Sequence, residues 1–363
     1  RIAARAALFA SLITALNFAP IAADPAQAAA ITPNSTACAT DGYCYATFGT
    51  VVTSGTWAIP ANTYSIDILA VGGGGGGTRG RCSYAWGSGG GGGGVAEALG
   101  QLVTPGATAT ITVGSGGSGS GNCDTSVQAT AGGTSSVSVG GTVSISGSGG
   151  GFSQNGPAIT SSNGPASGTT VINGTTVAGN AGGTVTFDTS SNCTSQACNA
   201  GGGGGAGTAA SGMNAGTGKL SAITGFRYGG GGAGRNNTVY GTADTNAGYS
   251  AANCNAAANS GAGGSDCATS AGAGGSGYVY IRYLPGPTLT TPSAQTVGLG
   301  QAATFSTSAT RASNLTSATF AYQWQSSPDG TNWTNVSGAT SASYTTPTQN
   351  SLSASGTQYR AKV

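Results

Sequence analysis

The chain has 363 residues, of which 69 are glycine and 6 % are charged, with a net charge of +2 and no histidine. So small a positive excess cannot hold a polyanion by phosphate neutralisation, which argues against a nucleic-acid partner, and without histidine no nucleophile–histidine pair exists. Low net charge beside 38 % apolar residues also argues against a disordered low-complexity chain, so a packed but polar protein is expected.

The first thirty residues read as a secretory signal peptide. Arg1 and Arg5 give a positive start, 6–19 an apolar stretch, and Ala26-Gln27-Ala28 a small-residue cleavage site. The apolar stretch is too short for a membrane span and is interrupted by Asn17 and Pro20, and no later stretch is long enough to span. Behind such a leader, the eight cysteines read as disulfides: Cys38, Cys44, Cys82, Cys123, Cys193, Cys198, Cys254 and Cys267. Sequence proximity favours Cys38/Cys44, Cys193/Cys198 and Cys254/Cys267, leaving Cys82 with Cys123, but does not fix the pairing. Their spacing matches no zinc site, and no metal ligand set or cofactor is expected.

Strand signals follow a short cysteine-containing segment (31–46). In "FGTVVTSGTWAIPANTYSIDILAV" (48–71), β-branched and aromatic residues alternate on either side of Pro60-Ala61-Asn62, with Ile66, Ile68 and Ala70 on one face. "VAEALGQLVTPGATATITVG" reads as two strands about Pro105-Gly106, with Ala109, Ile111 and Val113 sharing a face. Hairpins are expected at Gly140-Gly141 and Asn173-Gly174, pairs suited to two-residue turns with positive φ. In "GSGYVYIRYLP", Val279 and Ile281 are set against Tyr278, Tyr280 and Tyr283. Pro-Gly-Pro at 285–287 marks a linker (284–287). Beyond it glycine thins out, and short strands recur around the turn at Pro328-Asp329-Gly330 as in a small β-sandwich (288–363). No amphipathic helix is expected after the leader.

Glycine runs at 72–77, 89–94, 201–205 and 229–232 punctuate the first of these regions. Glycine loses more backbone entropy on folding than any other residue, so such runs make sense where the missing side chain is itself needed. Extended threefold glycine rods, lacking Cβ, can approach closely and bond sideways through their N–H and C=O groups. The runs are therefore expected to form packed polyglycine helices under a β-sheet, with disulfides offsetting part of the entropy.

The order "FGTVVTSGTWAIPANTYSIDILAVGGGGGG", "GGGGGGVAEALGQLVTPGATATITVGSGG", "GGTSSVSV", "GGGGGAG" and "AGGSGYVYIRY" resembles the bacterial glycine-rich domain over 47–283. That resemblance implies polyglycine helices packed with antiparallel strands, a role in surface display or recognition, and no shared catalytic residues. The insertions 122–131 and 188–200 depart from the family pattern. Residues 288–363 resemble a bacterial immunoglobulin-like domain, which implies a core role for Trp324 and a tyrosine-corner role for Tyr359. Thr307 and Ala361 stand where that fold often has its inter-sheet cysteines, and a final strand is expected after Val363. The fold class is thus all-β: a glycine-rich antiparallel domain with packed polyglycine helices, and a partial immunoglobulin-like sandwich.

Little here points to chemistry. Gly114-x-Gly116-x-x-Gly119 follows a strand as in a dinucleotide fingerprint, but no helical pattern follows to aim at a pyrophosphate. A Ser–Lys dyad would need Lys219, which nothing in "GKLSAI" recommends, and the two carboxylates that flank a glycosidic bond would have to come from nine acids, of which Glu97 is the single glutamate. Asp67 and Glu97 read as solvent-facing. Recognition is better served by aromatics beside arginines: Arg79, Arg81, Tyr84 and Trp86 in "RGRCSYAWGSGG", and Tyr228, Arg235 and Tyr240 around the run at 229–232. Their bland role is to cover the ends of the glycine packing. The function expected is that of a non-enzymatic secreted or cell-surface adhesive module, with carbohydrate or a cell-surface protein as partner. The alternatives are an accessory polysaccharide-binding region of an extracellular enzyme and a phage tail-tip adhesin.

Overall fold

The computed structural model describes residues 28–39, 42–79, 87–120, 128–152, 164–183, 200–235, 240–244, 254–266, 271–311 and 319–363. The expected leader falls almost wholly outside them, as do Arg81, Cys82, Tyr84, Trp86, Cys123, Cys193, Cys198 and Cys267. The described chain is all-β.

Two sheets carry the glycine-rich region. One orders β1 (Ser35–Cys38), β2 (Cys44–Phe48), β13 (Tyr278–Tyr283), β4 (Ser65–Val71) and β5 (Val95–Leu102). The other orders β10 (Thr175–Val177), β9 (Thr170–Ile172), β8 (Val143–Gly147), β7 (Ser135–Val139), β6 (Thr108–Val113) and β3 (Val52–Ala58). All pairings within the two sheets are antiparallel. Period-two alternation drives their packing. Ile66, Ile68 and Ala70 of one sheet and Ala109, Ile111 and Val113 of the other are buried in a single core. Strands adjacent in sequence often part company: β3 pairs with β6, whereas β4 pairs with β13 and β5.

Successive strokes of the chain alternate between two kinds of connection. After β3, β5, β7 and β9 the chain turns quickly; after β4, β6, β8 and β10 it leaves on a glycine-rich excursion. The short turns use the residues expected. Gly140 and Gly141 have φ of 56° and 73°, and Asn173 and Gly174 have 46° and 86°, the two-residue geometry that follows strand twist.

The glycine segments run on from the strands end to end rather than lying beneath a sheet. Gly72 follows β4 and donates to Gly94, which precedes β5, so the ladder between those strands passes directly into the glycine region (2.9 Å). Among the described residues the regular helical element is the 3-10 turn Leu352–Ala354, and the expected polyglycine rods are not assigned as helices. What the segments display is hydrogen bonding of period three. Gly72 and Gly75 donate to Gly94 and Gly91, Gly73 and Gly76 to Gly133 and Thr130, and Gly74 and Gly77 to Gly275 and Gly272. In return, the carbonyls of Gly73, Gly74 and Gly75 accept from Gly150, Gly117 and Gly264. The segment is thus bonded to six neighbouring segments, and it is buried throughout.

A core made of backbone is stable only if its polar groups are paired, since each buried orphan costs about 1–3 kcal/mol. The same closeness excludes side chains. A Cβ on Gly74 would collide with the carbonyl of Ala262, and one on Gly75 with that of Gly151.

Cys38 and Cys44 form a disulfide that closes the β1–β2 hairpin at its paired ends. Cys254 is also disulfide-bonded, its partner lying outside the described residues, and no described cysteine is free.

The described residues of 288–363 pair as three small sheets. These are β14 (Thr288–Leu289) with β16 (Ala309–Thr310), β15 (Thr304–Ser306) with β19 (Ser343–Thr345), and β17 (Gln323–Ser327) between β18 (Thr334–Asn335) and β20 (Gln358–Lys362). Among the described residues these sheets do not join into the two expected of an immunoglobulin-like sandwich. Trp324 is completely buried on β17, opposite Ala361 of β20, and its ring Nε1 donates to the Ser341 carbonyl (2.9 Å). Tyr359 stacks on Phe305 with ring centroids 4.8 Å apart.

Candidate functional site

β13 is central in its sheet and is covered on both faces. Val279, Ile281 and Tyr283 point into the main core, while Tyr278, Tyr280 and Arg282 occupy the outer face. The sequence reading placed Tyr283 with the other tyrosines; strict alternation puts it on the opposite face. Cross-strand register then assembles a row of rings. Tyr280 stacks on Tyr45 of β2 at 5.5 Å, and Tyr278 stacks on Tyr228 of β12 (Arg227–Tyr228) at 6.1 Å. At the other end of the row the Arg282 guanidinium lies 4.6 Å from the ring centroid of Tyr43.

Both acids of this sheet are engaged rather than free in solvent. Asp67 Oδ2 accepts from Arg282 Nε at 2.9 Å and Nη2 at 2.7 Å, and its Oδ1 accepts from the Gly100 amide at 2.7 Å. Glu97 Oε1 accepts from Ser221 Oγ at 2.6 Å and the Ile223 amide at 3.0 Å, and Oε2 from the Ala222 amide at 3.1 Å. The one glutamate therefore pins the turn between β11 (Lys219–Leu220) and β12. The Lys219 ammonium is likewise occupied, donating to the Val95 carbonyl at 3.1 Å.

Burial raises the phenol of Tyr228 above its ordinary range, and the nearby Glu97 charge adds to the effect against a hydrogen bond with Thr224. Tyr278 is pushed up to about 12, first by burial and then by Tyr228. Its folded form therefore favours the neutral phenol. The corresponding stability is complete below the ordinary tyrosine value of 10.0 and is lost as pH rises through about 12. Tyr278→Phe is expected to flatten the alkaline fall in stability across that window, read from denaturant midpoints at successive pH values. An unchanged slope would show that the phenol is not responsible.

The recognition residues expected from sequence are distributed unevenly. Arg79 ends the described stretch 42–79, its amide donating to Ser120 Oγ at 2.8 Å. Arg81, Tyr84 and Trp86 lie outside the described residues. Tyr228 and Arg235 are buried, the latter 3.8 Å from Asp266 in an ion pair, with its guanidinium 4.9 Å from the centroid of the exposed Tyr240 ring. Arg235 and Tyr240 are thus brought together, whereas Tyr228 packs into the tyrosine row. Sequence alone does not single out Tyr43, Tyr45, Tyr280 and Arg282; alternation along β13 places Tyr280 and Arg282 on one face, whereas Tyr43 and Tyr45 join them only through the pairing of β2 with β13.

Beyond the Arg282 end of the row lies a cleft of about 570 Å³ between the glycine-rich region and the C-terminal one. Tyr43, Tyr64, Asp67 and Arg282 line one side, and Arg311 and Phe320 the other. Its position is fixed through the linker, where the Gly286 amide donates to the Asn62 carbonyl (2.7 Å) and Asn62 Nδ2 donates back to the Gly286 carbonyl (2.5 Å). Among the described residues no His, Cys, Asp and Glu group is placed to hold a metal ion. The chemistry offered is flat rings beside guanidinium groups.

Residues 288–363 match a family described as a domain of unknown function. No curated protein matches the chain. Residues 49–284, well over half of the chain, match the model of the glycine-rich domain, and the protein belongs to that family.

Proposed function

We propose that the protein is a non-enzymatic structural and adhesive module of a bacterial secreted or cell-surface protein. The observation that carries this reading is the buried backbone lattice, which holds a half-buried row of tyrosines and an arginine on a stiff sheet. Rigid support lowers the entropy lost when such side chains meet a partner, so modest contact area can yield useful affinity. In this reading the glycine segments are rods of the polyglycine II kind, and the C-terminal region is an immunoglobulin-like spacer. The Cys38–Cys44 disulfide favours an oxidising compartment, and no helix of the described residues is long and apolar enough to cross a membrane.

The test is adsorption of the purified chain to cellulose, chitin and gelatin-coated surfaces, with Tyr45→Ala/Tyr280→Ala as the comparison. At least one surface is expected to retain the protein, and the double variant, still folded by circular dichroism, to lose most of that retention. Retention on none of the three, or equal retention of the variant, would overturn the assignment.

A further inference from the structure

The cleft between the two regions has a chemistry more particular than that of the tyrosine row. Each wall presents a guanidinium lying on an aromatic ring: Arg282 over Tyr43 at 4.6 Å, and Arg311 over Phe320 at 4.5 Å. The two arginines differ in how their charge is met. Arg282 is paired with Asp67, whereas Arg311 has no ion pair among the described residues and makes one hydrogen bond, from Nη2 to the Thr319 carbonyl at 3.2 Å. Tyr64, 65 % exposed, adds an open ring at the rim.

Counting donors and acceptors narrows the ligand. A neutral sugar is usually held by carboxylates that accept from its hydroxyls. The one side-chain carboxylate in this cleft, Asp67, already accepts from Arg282 and from the Gly100 amide. What remains is donors, the Arg311 guanidinium N–H groups and the Tyr64 phenol, set beside flat apolar faces. A guanidinium matches a carboxylate in two-point geometry, and an aromatic face matches the C–H face of a pyranose ring. The volume suits a short oligomer rather than a single ring.

We propose that this cleft binds an acidic oligosaccharide of the uronate type, with Arg311 engaging a carboxylate and Tyr64 and Phe320 bordering the sugar rings. The proposal rests on the recognition reading above but uses a different set of side chains. The experiment is calorimetric titration of the whole chain with a short oligogalacturonide, a cello-oligosaccharide of equal length, and an oligoglutamate peptide. Binding that depends on Arg311 is expected for the first alone, weakened about tenfold or more by Arg311→Gln and also by Phe320→Ala, with melting curves of both variants unchanged.

Equal binding of the cello-oligosaccharide, weakened in the same way by Arg311→Gln, would overturn the requirement for a carboxylate. Equal binding of oligoglutamate would reduce the site to a charge attraction and overturn the saccharide class. Absence of oligogalacturonide binding, or indifference to Arg311→Gln, would overturn the site itself. Surface retention dependent on Tyr45 and Tyr280 would stand apart from any of these results, so the two readings can fail separately.

Discussion

Replacing Gly74 and Gly75 together with valine is expected to abolish cooperative folding. Each new Cβ meets a carbonyl that is already committed: Ala262 accepts from Gly275, and Gly151 accepts from Gly91. Where side chains can move aside, overpacking costs about 1–3 kcal/mol. Here backbone must move, and each displaced hydrogen bond leaves buried groups unpaired at about 1–3 kcal/mol more. Two sites then cost roughly 4–12 kcal/mol, which is comparable to the whole stability of an ordinary domain, about 5–15 kcal/mol. Gly298→Ala is the control. Its nearest heavy atom to an added Cβ is 3.7 Å away, so its melting should be unchanged. A double variant that melts like the wild type would show that the run is loosely packed.

Trp324→Ala should have the next largest effect, and a local one. The indole is fully buried, its ring centroid lies 6.4 Å from that of Phe305 and 6.1 Å from that of Tyr344, and its N–H is spent on the Ser341 carbonyl. Truncating such a side chain costs about 3–5 kcal/mol. A region of short strands and small sheets has little reserve, so residues 288–363 should unfold while the glycine-rich region keeps its own transition. Calorimetry would show the early transition lost and the later one kept. Loss of both would mean that the two regions fold as one unit, and loss of neither would remove Trp324 from the core.

What could be read from the sequence was local. The turns at Gly140-Gly141 and Asn173-Gly174 need positive φ, and their residues announce it. The core faces of β4 and β6 follow from alternation alone. The tyrosine row was harder, because its rings come from segments far apart: Tyr45 meets Tyr280, and Asp67 meets Arg282 across 215 positions. Alternation says which residues of a strand share a face, but it does not say which distant strand lies beside it. Glu97 failed for a related reason. A charged residue in an alternating pattern reads as solvent-facing, yet the turn at 221–226 folds back and satisfies it. The glycine runs gave away their close packing through composition. That they extend the strands end to end depends on the register between β4 and β5.

That continuity bears on how the molecule would carry tension. A strand peeled from the edge of a sheet releases its bonds to one partner in sequence, so a small force can open it like a zip. A glycine segment held as 72–77 is held has no such seam, because successive residues are anchored to different neighbours on all sides. Drawing it out along its axis would have to shear those anchors together. The direction in which the chain is pulled, more than its total number of bonds, would then set the load at which it gives way.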